Sequence, residues 1–203
     1  MRLGIAHSPP WLVAAAVLGA AGMWLYVNRV WTPRQIADSA ASGHPRGNLS
    51  DLYPRWIGAQ ELLLHGRDPY RPEVTREIQE GYYGRALDPS RVGDPIDQRG
   101  FACPVYVVFY LAPTVRLDFG VVQRAFRWIL VGIMAASALL WLRVLGWQVS
   151  VPAQVAAVAL TLGNLPVLQG LKLQQLTLPV AAVALLVAGL AARSGDGASS
   201  GYD

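Results

Sequence analysis

Five stretches of this chain carry no charged side chain at all: residues 11–27, 101–115, 128–142, 146–171 and 173–192. A helix needs roughly 20 mostly apolar residues to cross a hydrocarbon layer of about 30 Å, and only helices or closed barrels satisfy their backbone groups inside lipid. The spacing therefore predicts an all-α, polytopic transmembrane helical protein with about five spans. The window 101–115 is the shortest. With Pro104 and Pro113 at its ends, it is expected to tilt, kink or re-enter. Composition agrees: 53% hydrophobic against 15% charged residues, and a mean hydropathy of +0.32.

Several function classes are unsupported by the residues present. The single cysteine, Cys103, leaves no internal disulfide framework, and its expected role is that of a small apolar residue in a span. His7, His44 and His65 are too scattered for a metal motif, and no phosphate-binding glycine loop or GxSxG elbow occurs, so no metal and no cofactor is expected. The net charge is +4, but most arginines fall in one loop beside ten acids rather than on a basic face, which argues against nucleic acid.

The order of charges suggests a topology. Pro9-Pro10 fits a stop before a helix from Trp11, and that apolar run is longer than the core of a signal peptide, so an uncleaved span is expected. Residues 31–100 form one large polar loop. Residues 116–127, with three arginines against Asp118, read as a short loop between the second and third spans, and the positive-inside bias places it in the cytoplasm. The N-terminus is then cytoplasmic, the 31–100 loop external and Lys172 cytoplasmic, in a multi-pass protein of the cell membrane. Residues 1–193 read as one membrane domain and 194–203 as a flexible tail.

The external loop contains DLYPRWIGAQELLLHGRDPY, residues 51–70. With Asp51 as N-cap, Pro54 occupies the third helical position and Gly66 supplies the stop. Leu52, Tyr53, Trp56, Ile57, Leu63 and Leu64 share one face, interrupted at Gln60, so the helix is expected to lie flat at the membrane interface. Tyr53 and Trp56 would sit at headgroup level and Arg55 and Arg67 would reach phosphates. On the plainer reading, Asp51 only caps, Arg55 snorkels, and Glu61 and His65 are solvated. A second short amphipathic helix is expected over residues 73–80, with Glu73, Glu77 and Glu80 exposed. Tyr82, Tyr83 and the acid-rich residues 87–100 read as a surface loop, with an acceptor groove as the alternative.

Asp51, Tyr53, Trp56, Leu63, Gly66, Asp68, Pro69 and Tyr70 together resemble the first external loop of polyprenyl-phosphate-mannose-dependent α-(1→2)-mannosyltransferases, which are C-type (GT-C) integral-membrane glycosyltransferases. FACPVYVVFYLAPTV resembles that family's proline-aromatic entry to the second span, and NLPVLQGLKLQQLTLPV its P…GQ-N region. Family members are longer and have more spans, so the resemblance is to an N-terminal portion only. The usual Gly-Gln-polar triplet here reads Leu173-Gln174-Gln175-Leu176, with Gly170 displaced upstream.

The resemblance implies a polyprenyl-phosphate sugar donor, a lipid or glycan acceptor, and Asp51 as general base. A hydroxyl attacks well only once a carboxylate takes its proton, and a departing lipid phosphate needs cations or donors as its charge grows. Arg55 and Arg67 are candidates for that phosphate, with Tyr53 and Gln174 as further substrate contacts. The missing spans imply a complementing membrane chain or a homo-oligomer, approached through small residues such as Gly132, Ala135, Ala136 and Ser137. The competing class is a non-catalytic membrane module that binds lipid phosphate or a partner subunit. A small transporter fits less well, since no ionisable residue lies in the middle of the apolar windows.

Overall fold

The structure, a computed structural model, describes residues 9–42, 50–94 and 100–177, with 180, 183, 187, 189 and 190. The described elements are helices joined by turns, with no strand among them: α1 (Pro10–Tyr26), α2 (Thr32–Ala41), α3 (Leu52–His65), α4 (Pro72–Tyr83), α5 (Val107–Leu111), α6 (Phe119–Val144), α7 (Val151–Gly163) and α8 (Leu165–Leu173). A π-helical turn, Val27–Trp31, carries α1 into α2, and a 3₁₀ turn, Ala112–Thr114, follows α5. The chain divides into two compact units, Met1–Val27 with Arg127–Asp203, and Asn28–Phe126.

Unit 1 holds α1, most of α6, α7 and α8. Two helices are long and apolar enough to cross a membrane: the 32 residues Pro10–Ala41 and the 26 residues of α6. A third crossing arises if α7 and α8, bent by 60° at Asn164, act as one span. The bend has a local cause, because Asn164 is extended and Pro166, in the first turn of α8, cannot carry the α7 ladder onward. Helices α1 and α7 approach closely: a Cβ added at Gly163 would lie 2.6 Å from the Ala20 Cα, and the Trp24 indole donates to the Leu162 carbonyl at 3.1 Å. Half of the window 173–192 lies outside the described residues, as does the 194–203 tail.

Unit 2 is where the structure departs most from the sequence pattern. Residues 101–115, expected as a span, hold only the five-residue α5 and the three-residue 3₁₀ turn, about 7 Å of α-helix at 1.5 Å per residue. Pro104 and Pro113 lie on either side of α5, and the apolar side chains Phe101, Val108 and Leu111 are buried within the unit. Val105, Tyr106, Phe109 and Tyr110 of the same segment are exposed, so one side of it packs into unit 2 and the other is free of it. The expected loop 116–127 is largely helix, since α6 begins at Phe119.

Unit 2 brings α3, from the expected 31–100 loop, against Thr114, Val115 and Phe119, at the start of the stretch expected on the opposite face. The Tyr53 and Trp56 rings of α3 lie 4.9 and 5.3 Å from that of Phe119, the Trp56 indole donates to the Thr114 carbonyl at 3.2 Å, and Gln60 donates to the Val115 carbonyl at 2.7 Å. Helix α3 is buried on Leu52, Trp56 and Ala59, while Leu63 and Leu64 are exposed, so the expected apolar face is split between the core of unit 2 and its surface. Helix α4 covers the expected 73–80 segment, and Tyr82 and Tyr83 end it as buried, edge-stacked rings instead of forming a surface loop.

Candidate functional site

Helix α3 begins and ends as its residues require. Tyr53 N–H closes the first turn on the Ser50 carbonyl at 3.0 Å, and Pro54, at the third helical position, gives up an N–H that the first turn leaves unbonded. Gly66 ends the helix in the left-handed region, φ 65, and Arg67 N–H returns to the Glu61 carbonyl at 2.9 Å.

Asp51 occupies the N-cap position, yet its backbone is already helical (φ −63, ψ −8) and its side chain makes no capping hydrogen bond. A capping aspartate normally has an extended backbone and accepts from the second or third helical N–H. Asp51 is half-buried and has an interaction elsewhere in the chain. One turn on, Arg55 reaches the Cys103 thiol, and its Nη1 is buried with no hydrogen-bond partner among the described residues. Burial pushes the Cys103 thiol up, a shift that Arg55 partly offsets, so the thiol stays protonated near neutrality.

Tyr53 is half-buried among Phe119, Tyr82 and Trp56, and Gly81 lacks the Cβ that would collide with its hydroxyl. It is thus a packing residue of unit 2. Arg67 is held by two carboxylates, Glu61 at 2.5 Å through Nε and Glu77 through Nη2. His65 Nδ1 also meets Glu61, at 3.0 Å. Glu61, expected on a solvated face, is only 8% exposed because this cluster satisfies it. A polar concavity of about 300 Å³ lined by Gly66, Arg67, Asp68, Arg71, Glu73 and Val74 opens beside it. Arg67 thus has its charge matched within the protein.

Gln174 belongs to unit 1. It is fully buried and ends α8 in the left-handed region at φ 53, while Gln175 N–H returns to the Gly170 carbonyl at 3.1 Å. A non-glycine residue there carries local strain that its surroundings must hold. Of the residues singled out in the sequence, unit 2 brings Asp51, Tyr53, Arg55 and Arg67 onto one helix and the turn after it. The partners Glu61, Glu77 and Cys103 were not foreseen. No group of three or more metal-ligating side chains occurs among the described residues. Comparison with known protein families, with curated proteins and with solved structures finds no match for this chain.

Proposed function

We propose that this chain is a membrane glycosyltransferase, or the N-terminal portion of one, that transfers a hexose, mannose in the first instance, from a polyprenyl-phosphate donor to a lipid or glycan hydroxyl. The observation that supports the reading is the pairing at the start of α3: Asp51 stands at a helix start without capping it, and Arg55 follows one turn later with a buried Nη1 that has no hydrogen-bond partner among the described residues. In this reading Asp51 takes the acceptor proton and Arg55 meets the phosphate as it departs. Residues 31–100, and with them unit 2, lie outside the cell membrane, and the N-terminus lies in the cytoplasm.

A second reading, a non-catalytic module that binds lipid phosphate or a partner subunit, draws support from Arg67, whose charge is already matched by Glu61 and Glu77. Radiolabel transfer from polyprenyl-phosphate sugars, in membranes expressing the chain, separates the two. The expected result is transfer by the wild type and a loss of about 100-fold in Asp51→Asn, with unchanged expression and melting temperature. Wild-type transfer by Asp51→Asn removes Asp51 as the base, and no transfer by the unmodified chain favours the module.

A further inference from the structure

Residues 101–115 carry no charged side chain, and the fold uses only part of that apolar surface. Val107, Val108 and Leu111 are buried in unit 2, while Val105, Tyr106, Phe109 and Tyr110 are exposed, Phe109 at 72%. The N–H groups of Val107, Val108 and Phe109 return to the carbonyls of Pro104, Val105 and Tyr106 at 3.1, 3.0 and 3.2 Å, so the backbone is coiled from Pro104 onward. Residues four apart in a coiled segment stand on one side, which sets Val105 with Phe109 and Tyr106 with Tyr110. Single exposed apolar residues are ordinary on any protein surface. Four adjacent ones, three of them aromatic, make a ridge that water does not favour.

One ring contact indicates what covers the ridge. The Tyr110 ring stands edge-on to that of Phe126, 6.1 Å between centroids, and Phe126 lies in α6 about 10 Å from its first residue at 1.5 Å per residue. Helix α6 is long and apolar enough to cross a membrane, and only 11% of its apolar window is buried by protein. The ridge therefore sits beside the first turns of that helix, where a lipid layer surrounding α6 also reaches Tyr106 and Phe109. The chemistry suits the headgroup level: tyrosines offer an apolar ring with a polar tip, and Arg116 and Arg124 are exposed at the same end of α6. The internally bonded N–H groups of residues 107–109, and the missing N–H of Pro104, suit a medium that offers no water to backbone donors. We propose that Val105, Tyr106, Phe109 and Tyr110 insert into the headgroup–acyl boundary of the bilayer beside α6 without crossing it. This insertion fixes unit 2 to the membrane at a second point besides α6, and it does not depend on glycosyl transfer.

The test attaches a nitroxide to one cysteine at a time, in a Cys103→Ser background, with the full chain reconstituted into phosphatidylcholine vesicles. Tyr106→Cys and Phe109→Cys probe the ridge. Val92→Cys, an exposed position between Arg91 and Asp94, is the aqueous reference, and Ile129→Cys, exposed on α6, is the lipid reference. Oxygen concentrates in hydrocarbon and a water-soluble nickel chelate stays outside, so their relative collision with the label reports depth. Labels at 106 and 109 are expected to favour oxygen, at about 5–10 Å below the phosphates, while the label at 92 favours nickel. The proposal is overturned if nickel reaches 106 and 109 as freely as it reaches 92. It is also overturned if both reagents are excluded there, since protein then covers the ridge; spin–spin broadening between copies would identify that cover as a second copy of this chain. Position 129 keeps the failure of the ridge apart from a failure of α6 to cross: oxygen at 129 with nickel at 109 rejects the insertion alone, and nickel at both rejects the span with it. Should one ridge variant not reconstitute, the other decides.

Discussion

Glu61 lies in a pattern that marks it for solvent, yet the structure buries it, and the reason is the residue two places past the helix end. The i, i+4 pairing with His65 is readable in the sequence. The pairing with Arg67 is not, because it depends on Gly66 turning the chain through the left-handed region and returning Arg67 over the last turn. Burial alone would raise the Glu61 carboxyl above its ordinary 4.5, but hydrogen bonds and charge from Arg67 and His65 outweigh it and hold the pKa below that value. The folded state thus binds this proton less tightly than the unfolded state. Its stabilising contribution is present above about 4.5 and is lost as the pH falls through the lower folded value. Glu61→Gln should therefore lower the melting temperature by roughly 5 °C at neutral pH, with the gap to wild type closing below about pH 4.5. A gap that stays constant from pH 7 to pH 3 would show that the carboxylate charge is not what matters.

At the scale of elements, close approach decides which glycines are structural. Gly163 faces backbone, with a would-be Cβ 2.6 Å from the Ala20 Cα, whereas Gly22 on α1 has open space at that position. Backbone cannot rotate out of the way as a side chain can, so Gly163→Ala must part α1 and α7 and should cost about 1–3 kcal/mol. Gly22→Ala, in a helix interior with nothing to strike, should be neutral or stabilise by up to about 1 kcal/mol. Thermal unfolding in one neutral detergent compares the two; equal melting temperatures would mean that the α1–α7 contact adds little. The ends of α3 and the start of α4 were legible because proline, glycine and apolar spacing are local signals, whereas α4 runs through Tyr83, past the expected stop at residue 80. The direction in which Trp56 and Phe101 face was not, since an apolar side chain satisfied by lipid and one satisfied by Phe119 or α3 leave the same pattern.

For the whole molecule, that same ambiguity governs topology. An uncharged window of 15 residues, 101–115, was read as a crossing, and every later loop inherited the side that crossing assigned. The five residues of α5 are too short to cross as a straight helix and α3 packs on Thr114, Val115 and Phe119, which favours one side of the membrane for residues 50–94 and the start of α6. The charge bias then favours the opposite orientation for unit 2. Arg29 and Arg34 follow the first apolar helix and Arg124 and Arg127 precede the core of the second, against Arg2 and Arg143 at their other ends. External glycosyl transfer requires unit 2 outside, so orientation tests the proposed function directly. In a Cys103→Ser background, Glu80→Cys on α4 and Arg116→Cys ahead of α6 both place the thiol at an exposed position of unit 2. An impermeant thiol reagent applied to intact cells should label both or neither, and labelling of only one would contradict the packing of α3 on the start of α6. Labelling of both sets the Asp51–Arg55 pair at the external face, where the proposed donor is used. Labelling of neither, reversed once the cells are opened, places unit 2 in the cytoplasm, as the arginines favour, and external transfer would have to be abandoned.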